Sequence, residues 1–264
     1  FISIPVILLA ATLSGCAGVD SKPDAAAPSR VVAEIAPGFL QGYLAEQDQL
    51  DSKAFVLPAP APDSVAQAMD KAWSRRMLAL RDTPRWDLAT HDADLHFPAA
   101  AGVFSCALGV AITEQDTPEL YLLLRRTLTD IGLATYSAKN AYQRKRPFMV
   151  NGAPICTPQD EKTLRKDGSY PSGHTAVGWG WALILTELVP ERAEALLARG
   201  RAYGESRNVC NVHWYSDVVS GREVGAAAVA NLHSNARFRK AMEAAKEEIA
   251  RSRDRGLSPT KDCA

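Results

Sequence analysis

The chain has 264 residues, of which 47% are hydrophobic and 23% are charged. This composition can form one substantial core and predicts a single catalytic or binding domain. Thirty basic residues balance thirty acidic ones, so no overall field favours nucleic acid or an anionic membrane as a partner. Attraction of an anionic ligand must therefore be local.

The first sixteen residues predict a truncated secretory signal. An apolar run extends from Phe1 to Leu13 and is followed by Ser14-Gly15-Cys16. We interpret the run as an h-region; a buried core helix is the weaker alternative, because nothing polar alternates with the apolar residues. The Leu-Ser-Gly-Cys string resembles a bacterial lipoprotein cleavage box. That resemblance implies lipidation of Cys16 and a periplasmic protein anchored to the outer membrane by its lipid alone; ordinary signal cleavage nearby is the alternative.

A tether is predicted over residues 17–55, because Ala, Pro, Asp and Ser dominate its first half. A short apolar patch lies around Phe39-Leu40 and Tyr43-Leu44. Prolines at 58, 60 and 62 then predict a stiff, extended entry to the domain. Asp63-Ser64 is typical of a helix N-cap, and the helix is expected to run to about Arg81.

Two histidines in the next stretch raise the question of a metal. His91 and His96 are five residues apart, which fits neither one helix face nor a zinc pattern, and no partner cluster accompanies them. We interpret them as loop residues and predict no metal and no cofactor.

A long helix is predicted from Pro118, with apolar positions at Leu120, Leu124, Leu128, Ile131 and Ala138. It is expected to carry Lys139 and to end before Pro147. Taken alone, the basic residues Lys139, Arg144, Lys145 and Arg146 indicate a solvated face.

The stretch from Phe148 to Asp167 is predicted to be a loop that leads into Gly168-Ser169-Tyr170-Pro171-Ser172-Gly173-His174. The mostly apolar run from Thr175 to Val189 then predicts a buried helix, since it is too short to cross a bilayer comfortably. Ser172 and Gly173 would lie at its first turn, where free backbone N–H groups and the helix dipole favour an anion.

Three more helices are expected over Glu191–Asn208, from near His213 to about Leu232, and over Asn235–Arg251. Sustained alternation with β-branched residues is absent, so the fold class is all-α, a compact helical bundle. The catalytic domain is placed at residues 56–252 and a C-terminal tail at 253–264.

The residues between Lys139 and Asp217 are typical of phosphoryl transfer. Lys139, Arg146 and Arg207 can surround phosphoryl oxygens with fixed positive charge. His213 and Asp217 are four apart and share one face if helical, so the carboxylate can hold one ring nitrogen while the other attacks phosphorus.

These residues also carry a resemblance. Three motifs form it: Lys139-x6-Arg146-Pro147, Pro171-Ser172-Gly173-His174, and Ser206-Arg207-x5-His213-x3-Asp217. Together they resemble the signature of the acid phosphatase superfamily that includes type 2 phosphatidic acid phosphatases and vanadium-dependent haloperoxidases. The longer strings Gly168–Thr175 and Gly204–Arg207 are similar to the class A bacterial non-specific acid phosphatases. The similarity extends from about Leu57 to about Ile249.

The resemblance implies a metal-independent acid phosphatase of broad specificity that hydrolyses small phosphate monoesters through a phosphohistidine. His213 would be the nucleophile, Asp217 its orienting group and His174 the general acid. Phosphoryl oxygens would be bound by Lys139, Arg146, Arg207 and the backbone amides around Ser172 and Gly173.

Alternative functions remain open at this point. The same pocket in a haloperoxidase holds vanadate with the residue equivalent to His213 as axial ligand, and a phosphatase can transfer phosphate to an alcohol instead of water. A surface lipoprotein that only binds phosphorylated ligands would have lost a catalytic histidine, and both are present. Helical relatives often associate, so a homo-oligomer is possible, although no interface is evident.

Four cysteines remain if Cys16 is lipidated, and an even number in an exported chain predicts disulfides with three possible pairings. The family resemblance implies Cys156 with Cys210, which leaves Cys106 with Cys263. A nucleophilic Cys210 is the alternative, but His213 is better placed for that role.

Overall fold

The computed structural model describes residues 32–259 and 263, so the predicted signal peptide, with Cys16, and residues 17–31 of the predicted tether lie outside the described residues. Helices dominate the described residues, which confirms the predicted fold class. Their bounds are α1 Val65–Leu78, α2 Pro84–His91, α3 Ala99–Gly102, α4 Ser105–Leu108, α5 Pro118–Leu133, α6 Tyr136–Tyr142, α7 Pro147–Asn151, α8 Glu161–Leu164, α9 Gly173–Leu188, α10 Ala193–Val209, α11 Tyr215–Leu232 and α12 Ala236–Asp254.

Local chemistry explains where several helices begin. The Ser64 side chain accepts a hydrogen bond from the Gln67 N–H and caps α1, as its sequence predicts. Pro84, Pro118 and Pro147 each occupy the first turn of a helix, where a missing N–H costs nothing. Asn235 caps α12 through its side-chain oxygen, so the last helix begins one residue later than expected.

A small antiparallel sheet precedes the helices and corrects the predicted tether. Strands β1 (Glu34–Ala36) and β2 (Phe39–Leu40) pair with Glu34 opposite Leu40 and Ala36 opposite Phe39. Beyond them the N–H groups of Tyr43 and Leu44 donate to the Asp130 carboxylate, and both side chains are buried. The apolar patch therefore belongs to the core, and the domain includes residues from 32 onward.

Helix α9 forms the centre of the bundle and packs against α5, α10 and α11. Its Trp181 is fully buried and donates a hydrogen bond to Thr127 of α5. Glycines bring its neighbours close: a Cβ at Gly225 of α11 would lie 2.4 Å from the Ala176 carbonyl oxygen. The predicted core helix is confirmed, and within the part of the chain described here no helix is long and apolar enough to cross a bilayer.

The helix predicted from Pro118 to the residue before Pro147 is two helices. Helix α5 ends at Leu133, and α6, which carries Lys139, begins at Tyr136. At the break, the Thr135 hydroxyl donates to the Gly132 carbonyl oxygen, which satisfies one of the orphan groups of the helix end. The predicted loop at 148–167 likewise contains most of α7, all of α8 and a 3-10 turn at Pro158–Asp160.

Two disulfides connect distant parts of the chain. Cys156 is bonded to Cys210 and Cys106 to Cys263, with Cα–Cα distances of 4.8 and 5.2 Å. The first joins the segment before α8 to the residue that ends α10. The second ties the predicted C-terminal tail to α4. A disulfide-bonded Cys210 has no thiol to act as a nucleophile.

Candidate active site

One pocket of about 300 Å³ collects residues from all three motifs. It is lined by the following predicted site residues: Lys139, Arg146, Gly173, His174, Arg207 and His213. Ser172 and Asp217 are fully buried behind this surface. Segments that are far apart in sequence thus meet where α6, the N-terminal end of α9 and the C-terminal end of α10 converge.

His213 is held from both sides. The Arg207 carbonyl oxygen accepts the His213 N–H at 3.2 Å, and the Asn208 amide donates to the His213 carbonyl oxygen at 3.0 Å. The imidazole Nδ1 lies 3.3 Å from Asp217 Oδ2, and Nε2 lies 3.0 Å from Arg146 Nη1. A guanidinium can only donate, so Nε2 accepts and Nδ1 carries the proton towards Asp217. The Nε2 lone pair is therefore directed at Arg146, and both side chains line the pocket.

The predicted reason for the His213–Asp217 contact is wrong in one respect. His213 precedes α11, which begins at Tyr215, so the two residues do not share a helical face. Asp217 lies in the first turn of α11, and its Oδ2 accepts the N–H of the N-cap residue Trp214 at 2.7 Å. The carboxylate reaches back over the helix start, and this brings it to the imidazole.

The electrostatics of the pocket keep His213 neutral. Burial lowers the pKa of His213 well below 6.5, and the charges of Arg146, Lys139 and Arg207 lower it further. An unprotonated imidazole is the form that can act as a nucleophile. Burial raises the pKa of Asp217, while Arg144 and the Trp214 N–H oppose that rise.

Two of the pocket cations are fixed by the loop before α9. Lys139 Nζ donates to the Gly168 carbonyl oxygen at 2.8 Å and lies 3.5 Å from Asp167. Arg146 donates to the Leu164 and Val212 carbonyl oxygens and pairs with Asp167 at 3.0 Å. Burial, and then the Arg146 charge, lower the pKa of Lys139 to about 8. Both cations are therefore set in place before any ligand binds.

Arg207 differs from the other two cations. Its side chain is 2% exposed, yet its Nε and Nη1 have no hydrogen-bond partner within the described part of the chain. Burial lowers the pKa of Arg207 to about 10, so the group is still charged at neutral pH. A buried guanidinium with two unpartnered nitrogens is costly, and an anion beside it in the pocket would offset that cost.

The helix N-terminus contributes less than predicted. The Ser172 N–H donates to the Asp217 carbonyl oxygen at 3.0 Å, so that amide has a protein partner already. The Ser172 hydroxyl caps α9 by accepting the Thr175 N–H. Gly173 is the residue of this pair that faces the pocket.

His174 lines the same pocket with a fixed tautomer. Its Nε2 lies 3.0 Å from the Ala93 carbonyl oxygen and donates to it, which leaves Nδ1 for proton exchange. Burial, and then the Arg207 charge, lower the pKa of His174 well below 6.5. An anion bound beside it would raise that pKa again.

A buried group behind Asp217 was not predicted from the sequence. Arg144 donates to Asp217 Oδ1 and to Asp70 Oδ2, each at 2.6 Å, and its side chain is 8% exposed. Asp70 in turn accepts from the Ser216 N–H and hydroxyl. The basic run around Arg144 indicated a solvated face, and no pattern in the sequence couples Asp70 on α1 to it. Asp167, which pairs with Lys139 and Arg146, was also missed.

The histidines considered for a metal lie elsewhere. His96 is exposed and pairs with Asp94 at 2.9 Å. Across residues 32–259 and 263, no group of three or more His, Cys, Asp or Glu side chains is arranged to hold a metal ion.

Known proteins resemble this chain over most of its length. The family model for the PAP2 superfamily matches residues 120–240. A non-specific acid phosphatase from Providencia stuartii is 45% identical over 210 residues, which cover 79% of this chain and 85% of that protein. An acid phosphatase from Zymomonas mobilis is 41% identical, with 79% of each chain covered. A non-specific acid phosphatase from Salmonella typhimurium is 42% identical, with 80% of this chain and 84% of that protein covered.

A solved structure also aligns with the chain. It is a transmembrane PAP2-type phosphatidylglycerolphosphate phosphatase from Bacillus subtilis. The alignment covers 68% of this chain and 87% of that chain. The sequence identity is 18% and the TM-score is 0.45.

Proposed function

The chain belongs to the bacterial acid phosphatases of the PAP2 superfamily, and on that premise we propose that it hydrolyses a broad range of phosphate monoesters through a phosphohistidine on His213, without a metal ion. The family expected from the three motifs is confirmed. The mechanism, the independence from metal and the breadth of substrates are the parts that we propose.

The observation that carries the proposal is the buried guanidinium of Arg207, two of whose nitrogens lack a hydrogen-bond partner among the described residues. It is buried in the pocket that also contains His213 and His174, and two further cations stand beside it. A bound phosphoryl group would satisfy Arg207 and meet Lys139 and Arg146. Three side-chain cations supply the positive charge that a metal ion provides in other phosphoryl-transfer sites.

In the first chemical step the Arg146 N–H that is bonded to His213 Nε2 turns to a phosphoryl oxygen, and the freed Nε2 lone pair attacks phosphorus. A P–N bond forms as the P–O bond to the leaving group breaks, and the protonated His174 gives its proton to the departing alkoxide. The Nδ1 proton of His213 stays hydrogen-bonded to Asp217, whose charge stabilises the imidazolium that develops. In the second step His174 takes a proton from water, which attacks phosphorus and breaks the P–N bond. The net products are an alcohol and inorganic phosphate.

Breadth of substrate follows from where the charged groups lie. The pocket cations are gathered around the site proposed for phosphate, and the other walls are mainly apolar. Few hydrogen-bonding groups are therefore available to restrict the enzyme to one particular polar leaving group.

A periplasmic, lipid-anchored location remains our proposal. The two disulfides support export, because disulfides persist in oxidising compartments. Signal and lipid attachment concern residues 1–16, outside the described part of the chain.

The test compares two histidine variants in the hydrolysis of a chromogenic phosphate ester. His213→Ala should lower kcat by at least about 10³-fold, because the nucleophile is lost. His233→Ala is the matched control; His233 pairs with Glu187 away from the pocket, so its activity should remain at the wild-type level. A chelator should leave the activity unchanged. Wild-type turnover by His213→Ala, or loss of activity with a chelator and recovery with a divalent ion, would contradict the proposal.

A further inference from the structure

The pocket extends beyond the site proposed for phosphate and changes character as it does so. The cations and histidines line one part of it, and the remaining side chains are mainly apolar, with Thr129, Thr135, Tyr136 and Asp167 as the polar members. The apolar members include Ile35, Phe39, Leu95, Leu128, Leu133 and Val177.

The mouth of this pocket differs from ordinary protein surface because several large hydrophobic side chains are exposed there. Ile35, Leu133 and Tyr136 are 54%, 43% and 45% exposed, although each is a large hydrophobic side chain. They come from three separate elements, β1, α5 and α6, and all three line the same pocket. Apolar side chains that converge on a concave site next to fixed polar groups are typical of ligand-binding pockets.

The hairpin that supplies Ile35 and Phe39 is fixed to the helical bundle. Thr129 Oγ1 donates to the Leu40 carbonyl oxygen at 2.6 Å, and Arg126 donates to the Gln41 carbonyl oxygen at 3.1 Å. The wall is therefore formed before a ligand binds, which reduces the entropy lost on binding.

The apolar wall lies in the same pocket as the cations, so it can contact the leaving group of a bound ester. A monoester whose phosphoryl group meets Arg207 and His213 must direct its leaving group away from those charges. The pocket offers apolar side chains in that direction, and the one carboxylate that lines it, Asp167, is already paired with Lys139 and Arg146.

We propose that Ile35, Phe39, Leu133 and Tyr136 form a leaving-group subsite that favours phosphate monoesters of alcohols with an apolar or aromatic body. This inference rests on the proposed phosphatase function and names the preferred class among its substrates. Small or strongly polar alcohols leave the subsite unfilled, so their esters react with a lower kcat/KM.

The test compares n-hexyl phosphate with ethyl phosphate. Both leaving groups are primary alkoxides, so their intrinsic reactivity is alike and the ratio of kcat/KM values reports the subsite. One methylene removed from water is worth about a fourfold change in affinity. Hexyl has four more methylenes than ethyl, and half-burial of these gives the wild type a preference of about tenfold or more.

Substitutions at the mouth of the pocket test whether these side chains cause the preference for hexyl phosphate. In the double variant Ile35→Ser/Leu133→Gln the preference should fall to about threefold or less, since two apolar walls become polar. The matched control is Val65→Ser/Met69→Gln, which changes exposed apolar residues of α1 outside the pocket and should keep the wild-type preference.

The outcomes separate this inference from the function on which it rests. A wild-type ratio below about twofold, or an unchanged ratio in the double variant, would overturn the subsite while ethyl phosphate hydrolysis still supports the phosphatase. Failure to hydrolyse either ester would instead count against the proposed function.

Discussion

Arg146 and Arg207 show how two buried guanidinium groups can serve different purposes. Arg146 is surrounded by carbonyl oxygens and Asp167, whereas Arg207 has two nitrogens without a partner among the described residues. Arg146 therefore stabilises the loop before α9 and the position of His213 as well as presenting charge. Arg207 has the greater capacity to gain from a bound phosphoryl group.

Arg144 is predicted to act on catalysis through Asp217. Replacing it by Gln removes the charge that holds Asp217 Oδ1 and Asp70, so the carboxylate no longer fixes the His213 tautomer. We expect kcat to fall about 10- to 100-fold with a smaller change in KM, and Arg144→Lys to recover part of the loss. The measurement is steady-state kinetics at several pH values. A displaced Asp217 also shifts the limb of the pH–rate profile that depends on the protonation of His213.

Folding must be checked in the same variants. Leaving the buried Asp70 and Asp217 without their cationic partner costs about 3–5 kcal/mol of stability, so circular dichroism spectra are recorded at the assay temperature. Arg165→Gln is the control, since Arg165 forms an exposed ion pair with Glu161. An Arg144→Gln enzyme with wild-type kcat and pH profile would show that Arg144 is only structural.

The pH dependence follows from the directions of the pKa shifts. His213 has a lowered pKa and stays unprotonated into the acid range, while His174 has a lowered pKa and gains its proton only as the pH falls. Lys139, with a pKa of about 8, loses its charge above that value. We therefore expect kcat/KM to rise as the pH falls from about 8, pass an optimum on the acid side, and fall once His213 is protonated.

The check is a pH profile measured with an ester whose own ionisation is taken into account. Lys139→Arg should retain the charge above pH 8 and move the part of the alkaline fall in kcat/KM that Lys139 causes to higher pH. An optimum at or above pH 8 in the wild type would contradict the assignment of His174 as the acid.

At the scale of elements, close helix packing at α9 should be sensitive to a single methyl group. Gly225→Ala places a Cβ about 2.4 Å from the Ala176 carbonyl oxygen, so α11 and α9 must separate. We expect the free energy of unfolding to fall by about 1–3 kcal/mol, measured by urea denaturation with the disulfides intact.

Gly132→Ala in α5 is the matched control, because nothing lies within 4 Å of the added Cβ. Alanine is the better helix former, so this variant should gain about 0.5–1 kcal/mol. Equal effects of the two substitutions would mean that packing at α9 does not depend on the glycine.

Sequence periodicity located most of the helices because their buried faces repeat regularly. It missed the break between α5 and α6, since Ala138 is buried and continues the apolar pattern across it. The hydrogen bond at the break, from the Thr135 hydroxyl to the Gly132 carbonyl oxygen, leaves no mark in the periodicity. The hairpin at residues 34–40 is too short to show alternation.

At the scale of the whole molecule, the motifs predicted which residues would meet but not what holds them. Lys139, His174, Arg207 and His213 line one pocket, as the sequence led us to expect. The partnership of Arg144 with Asp70 depends on how α1 packs against α11, and sequence spacing contains no such information. The formal net charge of zero is compatible with this site, because three cations gathered in one pocket supply the local field.

The most direct measurement traps the enzyme during turnover of a ³²P-labelled monoester and locates the label. Rapid denaturation in alkali preserves a P–N bond, and digestion followed by mass spectrometry identifies the modified residue. We expect a phosphoryl group on His213 that is lost in acid, and no label in His213→Ala. Label on another residue, or rapid turnover with no covalent label in the wild type, would contradict the proposed mechanism.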